Sequence, residues 1–105
     1  MARSIIQKKD GTCFLCKRLY DDDSIKYTEE HHIFGGHANR ELSERYGLKV
    51  YLCLYHHREG KEAVHNNHEL MMELKALGQQ AFEKNYQELD FRKIFGKNYK
   101  EENNE

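Results

Sequence analysis

The fold is decided by two stretches of the chain, Glu30-His31-His32-Ile33-Phe34-Gly35-Gly36 and Tyr51-Leu52-Cys53-Leu54-Tyr55-His56-His57. They contain four of the seven histidines and one of the three cysteines. The other two cysteines lie upstream in the stretch Cys13-Phe14-Leu15-Cys16. Residue types that bind metals are therefore concentrated in three short windows of the chain.

The cysteines predict a structural zinc site. Cys13-x-x-Cys16 is followed, after 36 residues, by Cys53-x-x-His56, so the chain supplies four ligands in two chelating pairs. This is the spacing of a closed tetrahedral zinc site. His57 is an alternative to His56 as the fourth ligand. A disulfide framework is disfavoured because the number of cysteines is odd, and metal in a reducing cytoplasm is the better interpretation.

Length and composition predict one small domain. The chain has 105 residues, of which 33% are charged and 38% hydrophobic, with no Trp and no Pro. A core of this size is marginal, and this composition favours a small core helped by a metal or another cross-link. We expect a single domain over residues 1–105, with a loosely held N-terminus over 1–11 and a polar tail over 97–105. No apolar run is long enough to predict a membrane span.

The hydrophobic pattern predicts an α+β fold. Alternation over Ser24 to Phe34 and the run Lys49 to Cys53 predict two strands that pair as an antiparallel hairpin. The connection contains a helical turn over 39–46 that ends at Gly47. A long helix is expected from His68 to about Tyr86 because apolar residues recur at helical spacing. Residues 12–20 are expected to form a tight turn that presents the first two thiolates.

Adjacent histidines on a strand point to opposite faces of the sheet, so His31 and His32 are expected to do different jobs. Hydrolysis of a phosphodiester needs a base near neutral pH and a cation that neutralises charge on the phosphate. Histidine is suited to the first task because its ordinary pKa lies near the working pH, and imidazoles also supply ligands for the second. Glu29 and Glu30 are candidates to hold an imidazole tautomer, with solvated carboxylates as the alternative.

The two His-His pairs, with the knuckle Leu52-Cys-x-x-His-His57, resemble the HNH endonuclease family in its zinc-knuckle form, and the chain is similar to small HNH-like proteins of bacteriophages and prophages. The resemblance covers residues 12–68 and leaves 69–96 as a helical appendage. It implies a small ββα-metal, treble-clef-like domain with a structural zinc and a C-terminal helix. The implied activity is metal-dependent cleavage of DNA, as a nick or a double-strand break, in the cytoplasm of a bacterial host.

Carried over residue by residue, the resemblance makes His32 the general base and His31 and His57 ligands of a catalytic Mg²⁺, Mn²⁺, Ni²⁺ or Zn²⁺. The family's usual middle asparagine is replaced by Leu48, and Asn39 is the nearest substitute. The family's further metal position holds Lys61, so His65, or less favourably His68, is the candidate third ligand.

Net charge gives no indication of a nucleic-acid partner, because 17 basic residues face 18 acidic ones. The first 20 residues are nevertheless basic, with five cations against one acid, so that a basic face and a mixed solvated surface both remain open. Phosphate contacts are expected from the cations that surround the site in sequence: Arg40, Arg45, Lys49, Arg58 and Lys61.

The partners implied by the resemblance are DNA and either a second copy of the chain or a phage protein. An alternative of another class is a non-catalytic zinc module that contacts nucleic acid or a phage replication or packaging protein. The absence of asparagine at position 48 and the neutral charge favour that alternative. The two His-His pairs favour the enzyme.

Overall fold

The computed structural model describes residues 3–100 and has an α+β architecture. Two antiparallel strands and several helices form one small body around a buried hydrophobic cluster. This agrees with the α+β class expected from the hydrophobic pattern. The elements in chain order are α1 (Phe14–Tyr20), β1 (Glu29–His32), α2 (His37–Tyr46), β2 (Lys49–Leu52), a π-helical turn (Tyr55–Glu59), α3 (His68–Asn85) and α4 (Phe91–Phe95).

The hairpin forms as expected, but β1 is shorter than the predicted strand. His31 pairs with Val50 and His32 with Lys49 in the antiparallel register. Residues 24–28 precede β1 outside the sheet, because β2 is only four residues long and offers them no partner. The alternation from Ser24 onward is therefore misleading: Ile25 and Tyr27 are 73% and 67% exposed.

The first cysteine pair lies at the start of a helix, and the prediction of a tight turn there is wrong. Cys13 is the N-cap of α1, and its sulfur accepts a hydrogen bond from the Cys16 backbone N–H at 3.4 Å. Residues three apart are neighbours on a helix surface, so the helix brings both thiols to one side. Asp21, in the left-handed conformation with φ 54°, ends α1.

The N-terminal residues are bound to the hairpin, which differs from the loose segment expected over 1–11. Ser4 Oγ donates to the Lys49 carbonyl oxygen at 2.6 Å, and the Tyr51 N–H donates to Gln7 Oε1 at 2.7 Å. The Ile5 N–H donates to the Gly47 carbonyl oxygen at 2.9 Å. Residues 1–2 and 101–105 lie outside the described residues, so the prediction for the end of the tail stays untested.

The core is formed where α3 and α4 cover the hairpin. Phe34, which follows β1, packs against Phe91 and Phe95 with ring centroids 5.3 and 5.0 Å apart. Gly78 of α3 allows close approach, because a Cβ there would lie 3.1 Å from both Ile33 and Phe34 side-chain atoms. The apolar stripe of the long helix is thus core, and it fixes the end of β1 that carries the histidines. None of the helices within residues 3–100 is both long and apolar enough to cross a bilayer.

Candidate metal centres

Four predicted zinc ligands converge at one point. Cys13 and Cys16 come from the start of α1, Cys53 directly follows β2, and His56 lies in the π-helical turn. Their candidate ligand atoms all lie within 4.8 Å of one another. His56 Nδ1 lies 3.7, 3.4 and 3.6 Å from the sulfurs of Cys13, Cys16 and Cys53. The imidazole that faces the three sulfurs is therefore that of His56, not His57.

The distances fit a tetrahedral zinc ion. A zinc ion bound at about 2.3 Å from each sulfur requires sulfurs about 3.8 Å apart. The sulfurs of Cys16 and Cys53 are 3.8 Å apart. Burial raises the pKa of the Cys16 thiol to about 12, so thiolates at this place need a cation to stabilise them. The cluster could hold a zinc ion.

Residues around this cluster complement it. The Lys26 ammonium donates to Cys16 Sγ at 3.3 Å and offsets the negative charge that three thiolates around one Zn²⁺ would leave. His56 Nε2 is the only buried side-chain nitrogen or oxygen in the described residues without a hydrogen bond, and it lies 3.9 Å from Glu62 Oε1. The Tyr20 hydroxyl donates to the same carboxylate. Glu62 is thus placed to stabilise the tautomer that leaves Nδ1 free for a metal.

A second cluster joins three of the remaining histidines. His31 of β1, His57 of the π-helical turn and His65 of the following loop have nitrogens within 4.8 Å of one another. Their ring centroids are 5.3 Å (His31–His57), 5.2 Å (His31–His65) and 4.9 Å (His57–His65) apart. The structure therefore brings together the three residues that the sequence suggested for a second metal.

The surroundings of this cluster favour neutral imidazoles at His31 and His65, whose nitrogen lone pairs can bind a metal. Burial, followed by the neighbouring His57 and His65, lowers the pKa of His31 to about 3, and burial also lowers the pKa of His65. Both are therefore neutral near pH 7. Arg58 first and His57 second lower the pKa of Glu29 to about 2, and the ionised carboxylate lies 2.8 Å from His57 Nδ1. If Nδ1 donates to Glu29, the lone pair on His57 Nε2 is free for a metal.

His32 lies in a separate polar network. Its Nε2 is 2.8 Å from Glu44 Oε1 of α2 and 3.9 Å from Glu30 Oε1. The Lys49 ammonium binds both carboxylates, at 3.0 Å from Glu30 Oε2 and 3.0 Å from Glu44 Oε1. Since the lysine already supplies a cation at this place, we interpret the network as support for His32 and not as a third metal site.

The cluster of three histidines and the network around His32 both open onto one cavity of 460 Å³. Both faces of the end of β1 contribute to it, because the strand ends there and the chain turns at Gly35 and Gly36. Its lining consists of Glu30, His31, His32, Ile33, Gly35, Gly36, Arg40, His57, His65, Met71 and Lys75.

Of the remaining residues predicted for the site, one lines the cavity and the others do not. Arg40 lines the cavity, whereas Asn39, in the first turn of α2, does not, and the residue of α2 that contacts His32 is Glu44. Lys49 is 2% exposed and its ammonium is paired twice, so it is not available as a phosphate contact. Arg58 is paired with Glu29, while Arg45 and Lys61 are exposed outside the cavity.

Three participating residues carry no clear signal in the sequence: Glu44, Lys26 and Lys75. Glu44 lies 12 positions from His32, and no sequence spacing indicates that a helix in the connection returns to the strand. Lys26 stands between two acidic stretches, a position that does not suggest contact with a thiol. Lys75 is a helix residue whose cavity position depends on how α3 packs.

Comparisons of the chain with protein-family models, with curated proteins and with solved structures found no match.

Proposed function

We propose that the chain is a metal-dependent endonuclease of the HNH type that hydrolyses DNA phosphodiester bonds. The observation that carries the proposal is the common cavity, in which His32 lies beside the cluster of His31, His57 and His65. A base and a set of metal ligands within one solvent-accessible cavity are the two components that phosphodiester hydrolysis requires.

His31, His57 and His65 would hold the catalytic divalent cation. The donor set fits, because His31 and His65 have lowered pKa values and Glu29 fixes one nitrogen of His57. When bound, the cation would neutralise charge on the scissile phosphate and on the leaving oxygen. Three imidazoles favour a transition metal such as Mn²⁺, Ni²⁺ or Zn²⁺ over Mg²⁺, which prefers oxygen ligands.

His32 would act as the general base through Nδ1. If Nε2–H donates to Glu44, the free lone pair is on Nδ1. Within residues 3–100 no hydrogen bond involves Nδ1, and Nδ1 is not among the fully buried atoms that lack a partner, so part of its surface reaches solvent. His32 would accept a proton from water as the water oxygen bonds to phosphorus and the P–O bond to the leaving sugar oxygen breaks. Solvent would protonate the leaving oxygen.

Two cations in the cavity wall would position the substrate. Arg40 and Lys75 line the cavity, and among the described residues neither is within ion-pair distance of a carboxylate. Burial, then Lys97, lowers the pKa of Lys75, and an added phosphate would favour its charged form. Contacts of this kind bind a backbone without reading sequence.

The experiment is cleavage of supercoiled plasmid by zinc-loaded protein with no added cation and with Mg²⁺, Mn²⁺, Ni²⁺ or Zn²⁺. Wild type is compared with His57→Ala, and His37→Ala is the control because His37 starts α2 outside the cavity. We expect cleavage that requires an added cation, is reduced at least about 100-fold by His57→Ala, and is unchanged by the control.

Failure of folded, zinc-loaded wild type to cleave supercoiled, single-stranded or branched DNA with any of these cations would overturn the proposal. That result would favour the non-catalytic zinc module.

A further inference from the structure

A second large groove lies along the N-terminal segment. It has a volume of 640 Å³ and is lined by residues 3–9 together with Glu30, Lys49 and Tyr51. We call it the N-terminal groove. None of the proposed catalytic or metal-binding histidines lines it, so it needs an explanation of its own.

The wall of the groove is held to the hairpin. Ser4 Oγ donates to the Lys49 carbonyl oxygen at 2.6 Å, and Gln7 Oε1 accepts from the Tyr51 N–H at 2.7 Å. The Ser4 hydroxyl oxygen also accepts the N–H groups of Ile6 and Gln7, each at 3.0 Å. A polar side chain that organises its own turn and fastens it to a strand gives the segment a defined path.

The groove carries three positive charges that pair with no carboxylate in the described part of the chain. Arg3, Lys8 and Lys9 are exposed and line it, and none of them is ion-paired within residues 3–100. Lys9 instead lies over the Tyr51 ring, with Nζ 5.7 Å from the centroid. The other charged lining residues, Glu30 and Lys49, form an ion pair at 3.0 Å, and Lys49 also pairs with Glu44.

The groove borders the histidine cavity. Glu30 lines both, and its neighbours His31 and His32 line the cavity. A long polyanion that enters the cavity can therefore continue past Glu30 into the N-terminal groove, whose three cations have no ion-pair partner within residues 3–100. A small phosphorylated ligand would not use both.

We propose that the N-terminal groove binds the sugar-phosphate backbone of a DNA duplex whose scissile phosphate lies in the histidine cavity. This rests on the proposed function for the identity of the substrate, and it adds the direction in which the bound strand leaves the site. The contacts are electrostatic, so this surface contributes affinity and no sequence preference.

The test is fluorescence anisotropy with a labelled DNA duplex at several salt concentrations and no added divalent cation, so that binding is measured without cleavage. The groove variant is Arg3→Gln/Lys8→Gln/Lys9→Gln. The matched control, Lys17→Gln/Lys84→Gln/Lys93→Gln, removes three exposed positive charges outside both cavities. Thermal melting and zinc content verify that both variants are folded.

We expect the groove variant to bind at least about 10-fold more weakly than wild type at about 50 mM salt. The magnitude of the slope of log K against log salt should fall by about 0.9 for each phosphate that the variant no longer neutralises, and the control should change both quantities much less. Equal affinities and slopes for the groove variant and the control would overturn the inference, and so would absence of any binding by wild type.

The two proposals fail separately. Loss of binding in the groove variant together with an inactive wild type would support the groove and contradict the nuclease. Plasmid cleavage by wild type together with unchanged binding by the groove variant would do the reverse.

Discussion

Glu44 Oε1 lies 2.8 Å from His32 Nε2 and 3.0 Å from the ammonium of Lys49. His32 first and Lys49 second lower the pKa of Glu44, which keeps this carboxylate ionised at neutral pH. Lys49 is 2% exposed, and although burial opposes its charge, Glu30 and Glu44 together raise its pKa. The proposed base is thus coupled through one carboxylate to a buried lysine at the paired position of β2.

Replacement of Glu44 should impair the base without removing it. In Glu44→Gln the neutral amide no longer favours the Nε2–H tautomer, so less His32 has its lone pair on Nδ1. We expect kcat for cleavage to fall about 10- to 100-fold with little change in KM. Nitrogen NMR of the imidazole should show a shift away from the Nε2–H form.

The matched control is Glu41→Gln, an exposed carboxylate on the same helix. If Glu44→Gln leaves both the tautomer and kcat as in wild type, Glu44 has no positioning role.

If the cluster of three cysteines and His56 holds zinc, loss of one thiol should remove the ion. Cys53→Ala deletes one ligand of the Cys13, Cys16, Cys53 and His56 cluster. Because a site with three ligands left binds zinc much more weakly, we expect zinc content to fall from about one ion to near zero. A loss of at least about 2 kcal/mol of unfolding free energy would lower the melting temperature by about 8 °C or more.

Native mass spectrometry and thermal melting make the comparison. One bound zinc and an unchanged melting temperature in Cys53→Ala would show that these four residues do not form a zinc site.

The lowered pKa of His31 has a defined effect on stability. The value falls from 6.5 to about 3 in the folded protein, mainly because of burial. Between these pH values the unfolded chain binds more protons than the folded chain, so the free energy of unfolding decreases as pH falls. This decrease in the free energy of unfolding is absent above pH 6.5 and reaches its full size as the pH approaches 3.

Imidazole NMR of the protein without added divalent cation measures the protonation of His31 directly. From about pH 8 to about pH 5 we expect the His31 ring signals to stay those of a neutral imidazole. A titration of His31 with a midpoint near 6.5 would contradict the buried geometry of the histidine cluster.

Gly47 should be intolerant of a side chain. It ends α2 with φ 71°, and a Cβ would collide with the Arg3 carbonyl oxygen and lie 3.2 Å from Ile5 Cγ2. Gly47→Ala is therefore expected to cost about 1–3 kcal/mol of unfolding free energy, measured by denaturant titration. Gly35→Ala is the control, because a Cβ at Gly35 meets no atom within 4 Å. Equal stabilities of the two variants would mean that the N-terminal segment does not pack on Gly47.

Local patterns predict most of the fold and the ligand clusters. The cysteine spacing points to the cluster of three cysteines and His56, and the β-branched run over Lys49 to Cys53 points to β2, because chelation and strand formation are local. Different roles are expected for His31 and His32 because adjacent residues on a strand face opposite sides of the sheet. The sequence makes His65 a candidate third ligand but does not determine its position, since that depends on the loop after the π-helical turn.

The surroundings of Lys49 and of the N-terminal segment are determined by tertiary packing, which local sequence patterns do not predict. Sequence position suggests a phosphate contact for Lys49, yet the hairpin register places it beside Glu30 and the helix α2 adds Glu44. Composition suggests a loose N-terminus, yet Ser4 and Gln7 bind β2 through side-chain hydrogen bonds. Periodicity predicts neither set of contacts. The Ser4 and Gln7 hydrogen bonds join residues more than 40 positions apart, and the ion pairs of Lys49 depend on how the chain turns between the two strands.

The central claim is tested most directly by the plasmid cleavage rate of His32→Ala beside wild type, with the same added cation and equal zinc content. If His32 is the base in the histidine cavity, cleavage by the variant should be about 100- to 10,000-fold slower while zinc content and melting temperature stay the same. Equal cleavage rates in the two proteins would contradict the assignment of His32 and the account of the cavity as a nuclease site.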